Sequence, residues 1–109
     1  MKPILWMGDS LKAMSAFPPD AKREAGHQLW TVQQGDDPSD WKPMTGIGAG
    51  VREIRIRTES AYRVVYVAKF EEAVYVLHAF VKKTQRTAKA DIDLAERRYR
   101  DLLATRKTK

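Results

Sequence analysis

The segment between residues 51 and 83 most constrains the fold, because it contains three β-type stretches separated by very short links. These stretches are Val51–Arg57, Ala61–Phe70 and Ala73–Lys83. Each is rich in Val, Ile, Tyr and Phe, which suit the pleated surface of a sheet. The links between them are polar and short enough for hairpin turns. The segment therefore predicts three neighbouring antiparallel strands.

Basic side chains recur along these predicted strands, at Arg55, Arg57, Arg63, Lys82 and Lys83. Because strand side chains alternate between the two faces of a sheet, Arg55 and Arg57 share a face, opposite Ile54 and Ile56. A face that collects cations suits a phosphate backbone. Alternating arginines also occur simply to keep a strand surface soluble, so the residues alone leave both interpretations open.

The N-terminal part of the chain is predicted to form an edge strand and two helices. The bounds are a strand at Pro3–Met7, a short helix that begins at Asp9 or Ser10 and ends at Phe17, and a second helix at Pro19–Gln34. The second helix carries one apolar stripe at spacings of four, four and three, made of Ala21, Ala25, Leu29 and Val32. Pro19 suits the first helical turn, and Gly35 suits the left-handed position after the last.

The C-terminal part is predicted to form one amphipathic helix at Ala88–Ala104, followed by a disordered tail at residues 105–109. The apolar face of this helix carries Ala88, Ile92, Ala95, Tyr99, Leu102 and Leu103. Its other face carries Lys89, Arg97, Arg98 and Arg100. The whole chain, residues 1–109, is therefore predicted to be a single α+β domain. Its antiparallel-rich sheet has two N-terminal helices and one C-terminal helix and is covered mainly on one face.

The stretch from Asp36 to Gly50 carries glycines at positions 46, 48 and 50, a spacing that resembles a phosphate-binding loop. Such loops lead into the N-terminus of a helix, whereas this one leads into a predicted strand. The sequence therefore predicts a flexible connector here. Within it, Trp41 and Met44 are expected to cover the sheet rather than to stack on a base.

The net charge of +6 is concentrated at one end of the chain. Residues 1–81 contain ten Lys or Arg and ten Asp or Glu, whereas residues 82–109 contain ten Lys or Arg and four Asp or Glu. This asymmetry indicates an anionic partner, although a solvated helix and tail would produce it too.

Composition also excludes several classes of protein. The chain has no cysteine, so it has no disulfide framework, and His27 and His78 lack the spacing of zinc ligands. No apolar stretch approaches the ~20 residues of a membrane helix, and the N-terminus is unlike a signal peptide. These features predict a cytoplasmic protein.

Three segments together resemble the RelE/ParE toxin superfamily, in particular its HigB-like branch of phage-derived toxins. They are VREIRIR at Val51–Arg57, YRVVY at Tyr62–Tyr66 and LHAFVKKTQRT at Leu77–Thr87. The resemblance is close over about the last 60 residues and looser over the two earlier helices. Two departures are small: Ile54 replaces the leucine usual in that branch, and Ala88 stands where a proline is common.

The resemblance implies a small RelE-like fold and a toxin of a type II toxin–antitoxin system. Most characterised members of that superfamily are ribosome-dependent endoribonucleases that cleave mRNA without a metal or other cofactor. The expected partners are therefore the ribosome, mRNA and a cognate antitoxin. The antitoxin would be a small DNA-binding protein of helix-turn-helix type, encoded by the adjacent gene.

Cleavage through the 2′-hydroxyl of RNA needs cations that stabilise the transition state and a group that transfers protons. Arg63 is the first candidate for the cationic role, with Arg55 beside it, and Lys82 or Lys83 is the candidate for proton transfer if neighbouring cations lower its pKa. His78 is either an acid–base group or a packed structural histidine, with the second favoured by its apolar neighbours. Contacts with RNA or the ribosome are expected from Arg57, Arg86, Lys89, Arg97 and Arg98.

Two other functions remain open at this point. The first is a ParE-like toxin that inhibits DNA gyrase without cleaving a nucleic acid. The second is a phage-derived binding module that is not toxic at all. The basic strands favour the nuclease, because the gyrase-binding branch lacks a comparable set of catalytic residues.

Overall fold

The computed structural model of the chain describes residues 1–107. The elements in chain order are β1 (Ile4–Trp6), α1 (Ser10–Ser15), α2 (Pro19–Gln33), β2 (Trp41–Pro43), β3 (Val51–Arg57), β4 (Ala61–Val67), β5 (Val74–Lys82) and α3 (Lys89–Lys107). The predicted α+β class is confirmed, as is the arrangement of two helices near the N-terminus and one at the C-terminal end.

The five strands form one sheet in the order β1-β5-β4-β3-β2. The pairs β2–β3, β3–β4 and β4–β5 are antiparallel, and β1 pairs with β5 in parallel. The predicted hairpins between the three long strands are therefore confirmed, and β1 lies at an edge as expected. The bounds of β3 match the prediction, whereas β4 ends three residues earlier, at Val67, than predicted.

The strand β2 was not predicted, because the stretch from Asp36 to Gly50 was interpreted as a connector. Its three residues pair with β3, with Trp41 opposite Ile54 and Pro43 opposite Arg52. Proline has no backbone N–H to donate to a neighbouring strand, so within sheets it is found on edge strands such as β2. A strand this short, with a proline in it, has no alternation that a sequence could reveal.

The second helix forms as its apolar spacing predicted. The side chains of Ala21, Ala25, Leu29 and Val32 are all buried. Gly35 follows the helix with a φ of 92°, in the left-handed region that favours glycine. With α1, this helix covers the sheet face that carries Ile54 and Ile56.

The opposite face of the sheet is also covered in part, which makes the prediction of a sheet covered mainly on one face wrong. A second core contains Val51, Val65 and Leu77 from the sheet, and Ala95, Tyr99 and Leu102 from α3. The apolar stripe of α3 needs an apolar surface, and these strand residues supply it. Further along the same strands, the same face becomes polar, and that part carries the candidate site.

The helix α3 continues to Lys107, through three of the five residues for which a disordered tail was predicted. Residues 108 and 109 of that tail lie outside the described residues. Within residues 1–107, no helix is long and apolar enough to cross a membrane.

The glycine-rich stretch before β3 is part of the second core. The ring of Tyr99 lies against Gly48, where an added Cβ would be 2.0 Å from the ring atom Cε2, and the Tyr99 hydroxyl donates to the carbonyl of Ala49 at 3.0 Å. Gly48 therefore permits the close approach of α3. Met44 packs against the same core, as expected. Trp41, also expected to cover the sheet, is instead part of the sheet in β2, and its ring centroid lies 3.9 Å from the Arg52 Cζ.

Candidate functional site

The polar part of the α3 face gathers charged side chains from four neighbouring strands. We call its cations the basic cluster, defined as Lys42, Arg55, Arg57, Arg63 and Lys82. The strand registers bring them together, because Arg55 lies opposite Arg63 across β3–β4 and Lys82 lies opposite Ala61 across β4–β5. Period-two alternation then places their side chains on one face.

A buried ion pair lies at the centre of the cluster. Glu53 is 0% exposed and Arg63 is 3% exposed, and the Arg63 Nε lies 3.3 Å from the Glu53 Oε1. The Arg63 Nη1 also donates to the carbonyl of Tyr62 at 3.0 Å. Arg63 thus lies buried at the floor of the cluster.

Glu53 has two further partners. Its Oε2 accepts a hydrogen bond of 2.9 Å from the Thr87 hydroxyl, and the Lys42 Nζ lies 3.8 Å from its Oε1. Sequence reasoning missed Glu53 as a site residue. Glu53 occurs two residues before Arg55 on the same face of β3 and is the one acid in that strand, but a solvated acid would give the same pattern.

A second carboxylate lies at the outer side of the cluster. The Asp40 carboxylate lies between Arg55, whose Nε is 3.1 Å from Oδ1, and Arg57, whose Nε is 3.7 Å from Oδ2. The Arg55 backbone N–H also donates to the Asp40 carbonyl at 2.8 Å. Asp40 was missed too, because it precedes β2, the strand that the sequence did not reveal. The five cations outnumber these two carboxylates, so the site remains positive.

Lys82 is the member of the Lys82–Lys83 pair that belongs to the cluster. Burial lowers its pKa from the usual 10.5, the nearby Arg63 charge lowers it further, and the charge of Glu53 opposes both effects. Lys83 follows the end of β5 and is exposed. Of the two candidates for proton transfer, the structure therefore places only Lys82 among the packed cations.

His78 lies beneath the first turn of α3, away from the exposed part of the cluster. It is buried, its Nε2 lies 2.8 Å from the Asp91 Oδ1, and its ring stacks on Phe80 with centroids 5.0 Å apart. Phe80 separates it along β5 from Lys82. This placement favours the structural interpretation of His78, as a residue that joins β5 to α3.

The residues expected to contact RNA or the ribosome lie in different surroundings. Arg57 belongs to the cluster. Arg86 is exposed in the segment between β5 and α3, in which the Thr87 hydroxyl donates a hydrogen bond to Glu53. Lys89 is exposed and pairs with Asp93 at 2.9 Å within α3. Arg97 is exposed on the outer side of the same helix.

Arg98 is not on the solvent face of α3, and that expectation is wrong. Its side chain is 13% exposed, Nη1 donates to the Leu77 carbonyl at 2.9 Å, and Nη2 donates to the Asp9 Oδ1 at 2.6 Å. The hydrogen bond from Arg98 lowers the pKa of Asp9 below its usual 3.8. The guanidinium also packs on Gly8, where an added Cβ would lie 2.6 Å from Cζ. The Arg98 side chain therefore connects α3 to β5 and to the turn before α1.

The two adjacent arginines of α3 offer a matched pair of variants. Arg98→Ala is expected to lower the free energy of unfolding by about 2–3 kcal/mol, because it removes a partly buried, charge-assisted hydrogen bond to the Leu77 carbonyl. Arg97→Ala is expected to change it by less than about 0.5 kcal/mol. Urea unfolding with unchanged m-values would measure both. Equal effects of the two substitutions would contradict this role of Arg98.

Within residues 1–107, no group of three or more His, Cys, Asp and Glu side chains is placed to hold a metal ion.

In comparison with known proteins, the model of the family described as phage derived protein Gp49-like (DUF891) matches residues 12–100. A search among curated proteins found no match. The matched range extends from α1 through most of α3 and includes every residue of the basic cluster. The chain therefore belongs to the family of phage-derived Gp49-like proteins.

Proposed function

We propose that this protein is the toxin of a type II toxin–antitoxin system and cleaves ribosome-bound mRNA. The proposal joins the family match to the resemblance with the HigB-like branch of the RelE/ParE superfamily. One observation carries it: the three resembling segments, which are separate in sequence, each contribute a cation to the basic cluster. These cations are Arg55 from β3, Arg63 from β4 and Lys82 from β5.

The proposed reaction is an internal transfer at one phosphodiester. The 2′-oxygen forms a bond to phosphorus, the bond from phosphorus to the 5′-oxygen breaks, and the products are a 2′,3′-cyclic phosphate and a 5′-hydroxyl. One proton leaves the 2′-hydroxyl and another reaches the 5′-oxygen. The enzyme's task is thus to hold the phosphate in line, to stabilise its extra negative charge and to move two protons.

The cluster can divide these tasks among its members. Arg55 and Arg57 have side chains that are 30% and 67% exposed, so they are accessible to phosphate oxygens. The planar guanidinium can donate to two such oxygens at once. Arg63, beneath them, adds positive charge in a poorly solvated position, where its effect on the transition state is stronger than in water.

Lys82 is the proposed proton-transfer group. Burial and the Arg63 charge lower its pKa. A lower pKa increases the fraction of neutral amine that can accept the 2′-hydroxyl proton, and it also makes the ammonium a stronger acid toward the leaving oxygen. Proton transfer by a positioned side chain contributes roughly 10²–10⁴-fold to such reactions.

The proposal also concerns partners and location. A toxin of this kind acts in the cytoplasm, where translating ribosomes are, and is tolerated only when an antitoxin inhibits it. The adjacent gene is therefore proposed to encode a small DNA-binding antitoxin that binds this chain tightly. Exposed cations of the segment between β5 and α3, such as Arg86, would contact ribosomal RNA or mRNA.

The chemistry can be tested with purified ribosomes programmed with a defined mRNA. The cut site is first mapped, and a second mRNA is then made with a single 2′-deoxynucleotide at the cleaved position. We expect cleavage of the first mRNA to leave 2′,3′-cyclic phosphate and 5′-hydroxyl ends, and the second mRNA to remain intact at that position. Equal cleavage of both would contradict attack by the 2′-hydroxyl.

A further inference from the structure

The Glu53 carboxylate is the least expected group in a site proposed to bind phosphate. It carries a negative charge, it is 0% exposed, and it lies among the cations of the basic cluster. A buried ion pair is weak evidence for stability, because desolvation of the charges offsets much of their attraction. The position of Glu53 beneath the cluster therefore indicates a role in the site itself.

We propose that Glu53 is the positioning residue of this site: its carboxylate orients the Arg63 guanidinium and, through Thr87, fixes the segment that leads from β5 into α3. The inference rests on the proposed function, since the site it orders is the proposed RNA-cleaving one. Glu53 itself does not contact RNA in this account and acts only through its neighbours.

The two oxygens of the carboxylate have separate partners. Oε1 faces the Arg63 Nε at 3.3 Å and the Lys42 Nζ at 3.8 Å, whereas Oε2 accepts the hydrogen bond from Thr87 at 2.9 Å. Glu53 thus connects β2, β3, β4 and the segment before α3. Arg86, an exposed cation, immediately precedes Thr87 in that segment.

The bond to Arg63 is an ion pair rather than a well-aligned hydrogen bond. The Arg63 Nε and the Glu53 Oε1 lie within ion-pair distance, yet both are buried and have no aligned hydrogen-bond partner among the described residues. Charge attraction depends less on angle than a hydrogen bond does. The ion pair with Glu53 and the hydrogen bond from Nη1 to the Tyr62 carbonyl therefore together hold the guanidinium in place.

The charge of Glu53 also reaches Lys82. Glu53 contacts Lys42 on β2, Arg63 on β4 and the neutral Thr87 before α3. The charges that act on Lys82 are those of Arg63, Glu53, Lys42 and Arg55. The pKa of Lys82 is lowered by burial and by the charge of Arg63, and the negative charge of Glu53 partly offsets that lowering. Removal of that charge is expected to lower the pKa of Lys82 further.

The test uses Glu53→Gln, which removes the charge and keeps the side-chain shape, with the exposed hairpin residue Glu59→Gln as its matched control. We expect Glu53→Gln to lower kcat for ribosome-bound mRNA about 100-fold with little change in KM, because misplacement of an active group has effects of that order. The limb of the kcat–pH profile that reports Lys82 should also move to lower pH. Glu59→Gln should change neither.

Two results would overturn the proposal: an unchanged kcat in Glu53→Gln, or a lower kcat with that limb of the pH profile unmoved. Circular dichroism and urea unfolding would check that the variant folds. If it does not, Glu53→Asp keeps the charge and withdraws the carboxylate by one methylene. That variant should lose kcat while the limb stays near its wild-type position, and wild-type kcat would reject the positioning role.

A separate measurement distinguishes failure of this inference from failure of the proposed function. Inorganic phosphate is titrated into the wild type and Glu53→Gln, and the NMR signal of the Arg63 Nε–H is followed. Charge alone predicts tighter phosphate binding in the variant, because the site becomes more positive, whereas loss of positioning predicts weaker binding. Weaker binding would support the role of Glu53 even if no RNA is cleaved, and tighter binding would overturn it.

Discussion

Arg63→Ala is expected to lower the free energy of unfolding by about 3–5 kcal/mol, the usual effect of breaking a buried ion pair by removing one partner. The reason is that Glu53, at 0% exposure, would keep its charge without the Arg63 guanidinium. Urea unfolding would measure the loss. Arg55→Ala, directly opposite on β3 and partly exposed, is the control and should cost less than about 1 kcal/mol.

A double variant separates the ion pair from the size of the side chains. In Glu53→Gln with Arg63→Met, both charges are removed, so the cost should be smaller than the sum of the two single substitutions. Additive losses would show that the two side chains contribute independently.

Because Arg63→Ala is expected to destabilise the fold, its effect on toxicity has to be compared with that of a variant of equal stability.

The second large effect is expected at Lys82. Lys82→Met should reduce single-turnover cleavage of ribosome-bound mRNA by roughly 10²–10⁴-fold, because it removes the proposed proton-transfer group and keeps the length of the side chain. Stability should change little, since the Lys82 side chain is only partly buried. Measurement at saturating ribosomes would separate the chemical step from binding.

Lys83→Met is the matched control for Lys82. Lys83 is the next residue, carries the same charge and is exposed beyond the end of β5. It should slow cleavage less than about tenfold, through weaker attraction of RNA alone. If the two substitutions slow the reaction equally, the lowered pKa of Lys82 has no catalytic role.

Sequence alternation was sufficient to predict which residues of β3 share a face of the sheet. The opposite placement of Arg55 and Ile54 follows from a period of two, and the burial of Ala21 and Leu29 follows from a helical period. These are local properties that each element carries in its own residues. The convergence of Arg55, Arg63 and Lys82 was suggested by the resemblance, and the registers of β3, β4 and β5 show how it arises.

The remaining features depend on contacts between distant parts of the chain. The role of Arg98 is set by the Leu77 carbonyl and Asp9, neither of which is near it in sequence. Glu53 is indistinguishable from a solvated acid until Arg63 and Thr87 are placed around it. The alternation in β3 also gave no sign that α3 covers the apolar part of the sheet face that carries Arg55.

Mapping of RNA 5′ ends in bacteria that express the chain tests the central claim most directly. The wild type and Lys82→Met would be induced at equal abundance, and RNA with 5′-hydroxyl ends would be sequenced. We expect new 5′-hydroxyl ends inside translated mRNAs with the wild type and none with Lys82→Met. Growth arrest by the wild type without such ends, as a gyrase inhibitor would cause, or identical ends from both proteins, would contradict the claim that this basic cluster cleaves mRNA.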